Sequence, residues 1–295
     1  MPSDHSTPPQ PGPRWLLDEA LAAVQDGGTV LDVPLQGDRW SSWDGAVHGP
    51  TPRPDWVVTA RNAVDEDLGV LKTGKEADVS ILRRFVPAPD GGAPAVDVLM
   101  AAKRFRDSKH RMFHRDSGYL EGRRVRKSRE MRAMQRRTEF GKQLISGQWA
   151  HAEFAALSEL WQLGLPVPYP VQIDDAELLM EFIGSDGQAA PRLAQTRPDA
   201  DVVASLHEQF VTAMGTLVTR GWTHGDLSPY NVLLHEGRLV IIDWPQVVDV
   251  VANPRGPEFL QRDVHNMAQW FRSRGLPVDA EELFGDLMGQ AMSRW

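Results

Sequence analysis

The stretch THGDLSPYNVLLHEGRLVIIDWPQ, residues 223–246, sets His224, Asp226, Asn231 and Asp243 beside two aliphatic runs. Asp226 and Asn231 flank Pro229 in a loop, and Asp243 closes the run LVII. A hairpin of NVLLH and RLVIID around Glu236-Gly237 brings Asn231 and Asp243 to one end. Phosphoryl transfer needs oxygen ligands for Mg²⁺ and a separate carboxylate to orient the attacking group. Asp226 suits the second task, Asn231 and Asp243 the first. Read as structure alone, the same residues are turn formers and a strand cap. The joint pattern HxDxxxxN, aliphatic strand, Asp favours the chemistry.

Such chemistry requires a cation upstream. Lys103 ends the strand-like run VLMAAK, and Glu153 lies on the helical stretch WAHAEFAAL. A strand Lys paired with a helix Glu is the arrangement protein kinases require. The phosphate loop departs from GxGxxG: VLKTGKEADVSIL holds the single Gly74. Backbone N–H groups of Thr73 to Glu76 can still cradle phosphate, aided by the Thr73 hydroxyl and Lys75.

Around these motifs the chain reads as a β-rich half followed by an α-rich half. Residues 1 to about 14 are Pro- and Ser-rich and read as disordered, and RWLLDEALAAVQ has helical spacing. The Gly-, Pro- and Trp-rich run up to residue 60 shows no period. Strand-like runs LGVLKTGKEADVSILRRFV and PAVDVLMAAKRF flank the turn PAPDGGAP. A charged helical segment follows from Lys109, with Ala150, Phe154, Leu157 and Trp161 on one face, and stops at Gly164 and Pro166. PYPVQIDDAELLMEFIG adds two strands around Asp174-Asp175. The helix DVVASLHEQFVTAMGTLVTRG and a mostly helical tail complete the chain.

Composition bounds the setting. The 295 residues are 41% apolar and 24% charged, ordinary globular values. There is no cysteine, hence no disulfide or thiolate metal site, which fits a reducing cytoplasm. No run has the length of a membrane span or the form of a secretion signal. Lys103 to Lys142 holds fifteen Lys plus Arg against five Asp plus Glu, a local +10 in a chain of net −8. Such an island can attract a polyanion or form a solvated helix face.

Taken together, KTGKEADV, AAKRF, QWAHAEFAAL, LLMEFIG, HGDLSPYNVLL, IIDWPQVV and PEFLQRDVHNM, in order over residues 72–267, resemble a RIO family atypical serine/threonine protein kinase, nearest the subgroup lacking a winged-helix domain. The resemblance implies an α+β, two-lobed, protein-kinase-like fold with a reduced α-rich lobe that lacks an activation segment and peptide-docking helices. It divides the chain into an extension (1–60), an N-lobe (61–184) with a basic flexible loop (104–145), and a C-lobe (185–295). ATP and Mg²⁺, with Mn²⁺ as substitute, are the implied cofactors. Lys103 then contacts phosphates and Glu153 holds it. Thr73, Gly74 and Lys75 form the phosphate loop. Met180, the Glu181 carbonyl and the Ile183 N–H take adenine. Asp226 is the catalytic carboxylate, Asn231 and Asp243 bind metal, and Asp243 is also a candidate phosphoryl acceptor. RNA or a ribosomal surface is the implied partner of segment 103–142, and the protein substrate stays unnamed.

Two departures matter. Pro229 stands where the family commonly has an acidic residue, and Trp244-Pro245 replaces small residues. Both suit small-molecule phosphotransferases of the aminoglycoside or choline kinase type, which TGKEADV and EFIG disfavour. An ATP-switched assembly scaffold with little catalysis is the third reading.

Overall fold

The computed structural model describes residues 34–89, 92–94, 96–106, 139–244 and 247–293, without the side chains of 139–145. The expected N-terminal helix and most of the basic segment lie outside the described residues.

Two short strands come first, β1 (Arg39–Trp40) and β2 (Val47–His48). The strand-like runs then form an antiparallel meander of β3 (Val64–Thr73), β4 (Ala77–Phe85) and β5 (Asp97–Phe105). Helix α1 (Glu139–Gln162) leads into β6 (Pro170–Asp174) and β7 (Glu177–Glu181), joined at Asp174-Asp175 as the turn residues require. The sheet order is β1-β3-β4-β5-β7-β6-β2.

That order reveals what the run before residue 61 does. β1 pairs with β3 and β2 pairs with β6, so residues 39–48 reach both edges of the sheet formed by β3 to β7. Trp43 plugs the strap into a core of Leu82, Met100, Tyr169 and Leu179, and its ring stacks on His48 at 3.8 Å. Beside it, the Arg84 guanidinium grips Asp65 at 2.7 and 2.9 Å and donates to Gln172 at 2.7 Å, all three side chains buried. Gln172 donates on to the Ser42 hydroxyl at 2.9 Å, which ties the strap to the charge pair. A buried charge is tolerable only when paired in this way.

The α-rich half opens with the small hairpin β8 (Gly184–Ser185) and β9 (Gln188–Ala189), followed by α2 (Ala200–Thr219). Leu206, Phe210, Met214 and Leu217 recur at helical spacing and are buried. Next come β10 (Trp222–Thr223), β11 (Val232–His235), β12 (Arg238–Ile241) and β13 (Val248–Asp249), then α3 (Gly256–Ser273) and α4 (Ala280–Met292). Asp279 caps α4 by accepting from the Glu281 and Glu282 N–H groups at 2.9 and 3.1 Å. Ala150, Phe154 and Leu157 of α1 share one core with α2, α3 and α4, so α1 packs on both halves. No helix among the described residues is long and apolar enough to cross a membrane.

Candidate active site

The hairpin β11–β12 has the expected register, Val232 opposite Ile241 and His235 opposite Arg238. Its turn residues Glu236 and Gly237 have φ of 51° and 74°, the left-handed pair that a two-residue hairpin turn needs. At its open end the Ile242 N–H donates to the Asn231 carbonyl at 2.9 Å, so Asn231 and Asp243 are brought together. The Asn231 amide nitrogen donates to the Asp226 carbonyl at 3.0 Å, leaving Oδ1 as its acceptor. Asp226 is exposed. Asp243 has φ of 66°, the left-handed region that few non-glycine residues adopt.

Lys103 joins the halves. Its Nζ lies 2.6 and 2.7 Å from the two Glu153 oxygens and 3.1 Å from Asp243 Oδ1. Glu153 is buried, whereas the Asp243 side chain is 41% exposed and open to a ligand. Burial alone would lower the Lys103 ammonium, but Glu153 and Asp243 hold it above its ordinary range. Burial pushes Asp243 up, and Lys103 outweighs it to leave the carboxyl lowered. Burial likewise pushes Glu153 up, and here it prevails over Lys103.

The other expected residues are placed less uniformly. Met180 and Glu181 sit on β7 opposite Ala101 and Met100. Glu181 exchanges bonds with Tyr169, its N–H donating at 2.9 Å and its carboxylate accepting at 3.0 Å. The Ile183 carbonyl accepts from the Ala190 N–H at 2.9 Å. Gly74 makes the β3–β4 turn; its N–H donates to the Ala77 carbonyl at 2.9 Å, and a Cβ would meet that oxygen at 2.9 Å. Lys75 is exposed at the turn. Thr73 pairs with Asp78 across β3 and β4, on the rung whose carboxylate holds Arg106 at 2.7 Å and not on the rung of Lys103.

Two residues without a role in the sequence reading organise the loop. Asp263 of α3 is fully buried and accepts from the Thr223 hydroxyl at 2.8 Å, the Gly225 N–H at 2.6 Å and the Leu227 N–H at 2.7 Å. Gly225 has φ of 80°, and a Cβ there would lie 2.6 Å from Val248 Cγ2, so only glycine fits. A signal for Asp263 existed: it sits on the Leu260, Val264, Met267 stripe, where a carboxylate is costly unless bonded. His224 bridges the two loops. Its Nδ1 accepts from the Asp226 N–H at 3.3 Å, so Nε2–H donates to the Ile242 carbonyl at 3.2 Å. Trp244 packs on His224 at 4.4 Å and is fully buried, its N–H donating to the Ile241 carbonyl at 3.1 Å.

A β-rich half that carries Lys103, set over an α-rich half that carries Asp226, Asn231 and Asp243, defines an α+β, two-lobed, protein-kinase-like fold. After Asp243 the described residues add only β13, α3 and α4. The family model for the RIO domain matches residues 100–283, which contain all four of these residues, and the chain belongs to that family. It is similar to the RIO-type serine/threonine-protein kinase Rio1 of Haloferax volcanii, 37% identical over 141 residues covering 48% of each chain. It is 35% identical to the serine/threonine-protein kinase RIO1 of Caenorhabditis elegans over 49% of this chain and 29% of that protein. Likeness to the serine/threonine-protein kinase RIO3 of Bos taurus is 29% over 76% of this chain and 42% of that protein. The chain thus spans less than half the length of each of these relatives.

Proposed function

We propose that the chain is an ATP- and Mg²⁺-dependent RIO-type serine/threonine kinase or ATPase that phosphorylates itself. The observation that carries this reading is the Lys103 ammonium, within 2.7 Å of both Glu153 oxygens and 3.1 Å from Asp243. Glu153 aims Lys103 at the nucleotide phosphates. Asp226 orients the acceptor hydroxyl and receives its proton. Met180, Glu181 and Ile183 line the adenine end, and the turn at Thr73, Gly74 and Lys75 covers the phosphates. The donor chemistry suits a hard cation: the Asn231 amide oxygen and the partly exposed Asp243 carboxylate are oxygen ligands that would hold Mg²⁺, or Mn²⁺ in its place. A bound Mg²⁺ offsets charge on the transferring phosphoryl group. Asp243 is also proposed as acceptor of the γ-phosphoryl, its carboxylate oxygen bonding to phosphorus as ADP leaves.

Incubation with γ-labelled ATP tests the reading. An acyl phosphate on Asp243 is cleaved by neutral hydroxylamine, whereas a phosphoester on Ser or Thr is not. Asp243→Asn removes an anionic metal ligand and is expected to abolish labelling and ATP hydrolysis. Near wild-type turnover in that variant refutes the assigned role. The buried Trp244 favours a second reading, a small-molecule phosphotransferase, and robust turnover on a small alcohol would establish it. Slow hydrolysis without transfer would instead mark an ATP-switched scaffold.

A cytoplasmic setting with RNA or a ribosomal surface as partner belongs to the same proposal, supported by the +10 charge of residues 103–142. Charge reversal at Arg123, Arg124, Arg126 and Lys127 is expected to weaken salt-sensitive RNA binding, and unchanged binding counts against the partner.

A further inference from the structure

A ladder of paired residues crosses the sheet beside the candidate site. Lys72 of β3 is opposite Val79 of β4, and Val79 is opposite Lys103 of β5. Directly paired residues share a face, so Lys72 stands on the face from which Lys103 reaches Asp243, two strand spacings or roughly 10 Å away. The next rung, Thr73, Asp78 and Arg104, faces the other way. A register shift between Val70 and Lys72 sets this phase. Without that bulge Leu71 would oppose Val79, and Lys72 would move to the far face.

The charges near Lys103 need a second cation. Its single positive charge meets two carboxylates, Glu153 and Asp243, which leaves that group formally −1. Beside the Mg²⁺ proposed at Asp243, a further lysine on this face would offset the charge of an entering polyphosphate tail. Lys72 is exposed and, among the described residues, closes no ion pair, unlike Arg104 and Arg106 on the opposite face.

We propose that Lys72 is a second phosphate-contacting cation, separate from Lys103 and from Lys75 of the turn, which makes the site selective for nucleotides with a polyphosphate tail. This rests on the ATP reading of the site. Equilibrium dialysis of the full chain with ATP, ADP and AMP tests it, with Lys72→Gln and Lys72→Arg beside the wild type. Lys72→Gln is expected to weaken ATP binding about tenfold and AMP binding by less than about twofold, the loss of one charged contact to the tail. Lys72→Arg restores ATP binding, and the unfolding midpoint of both variants matches wild type because the residue is exposed. Equal losses for ATP and AMP, or unchanged ATP affinity in Lys72→Gln, overturn the assignment while the ATP reading stands. Failure of the wild type to bind any of the three nucleotides overturns both.

Discussion

Lys103 serves two carboxylates in different surroundings, one buried and one open to solvent. Removing it strands the buried one. Lys103→Met is therefore expected to abolish phosphoryl transfer and to cost about 3–5 kcal/mol of stability, the usual penalty for breaking a buried pair. The loss should grow with pH. Burial lifts Glu153 above its ordinary 4.5, so without Lys103 the folded state keeps a proton that the unfolded chain has released. Unfolding free energy then falls as pH rises above 4.5, more steeply than in the wild type, which urea titrations at several pH values would read. His224 has the opposite sign. Burial holds its imidazole below the ordinary 6.5, so below that pH the unfolded chain takes up a proton the folded site resists. Stability is expected to decline as pH falls below 6.5, and His224→Gln to flatten the decline. The placement of Lys103, Glu153, Asn231 and Asp243 was legible in spacing because strand ends and turns set it locally. Asp263 was harder to read, since its three donors come from a loop far away in sequence. The face of the sheet on which Thr73 stands is hidden in the sequence because a bulge resets the alternation before it.

Among the elements, the β11–β12 hairpin is legible in a Glu-Gly turn between aliphatic runs, and α1 in its apolar face. The strap of residues 39–48 could not be read. Strands of two residues have no period, and what holds them is Trp43 in a core assembled from four other strands. Trp43→Ala is expected to cost about 3–5 kcal/mol through lost burial and a cavity, seen as a lower urea midpoint with an unchanged slope. A change below about 1 kcal/mol would show that the meander does not need the strap.

Over the whole molecule, α1 links the sheet to the helical half while presenting Glu153 to Lys103, so ligand binding and global stability should be coupled. ATP with Mg²⁺ at a hundred times its dissociation constant is expected to raise unfolding free energy by about 2.7 kcal/mol. A melting temperature that stays constant over an ATP titration would count against nucleotide binding. By itself the sequence determined the succession of β3 to β7 and of the helices, the hairpin that joins Asn231 to Asp243, and the chemical types at the site. Those depend on local turns, side-chain period and residue identity. Tertiary structure alone decided that a strap closes both sheet edges, that Asp263 locks the loop of residues 223–227, and that a bulge puts Lys72 on the face of Lys103. Each depends on register or burial between segments distant in the chain, whose pairing local pattern does not set.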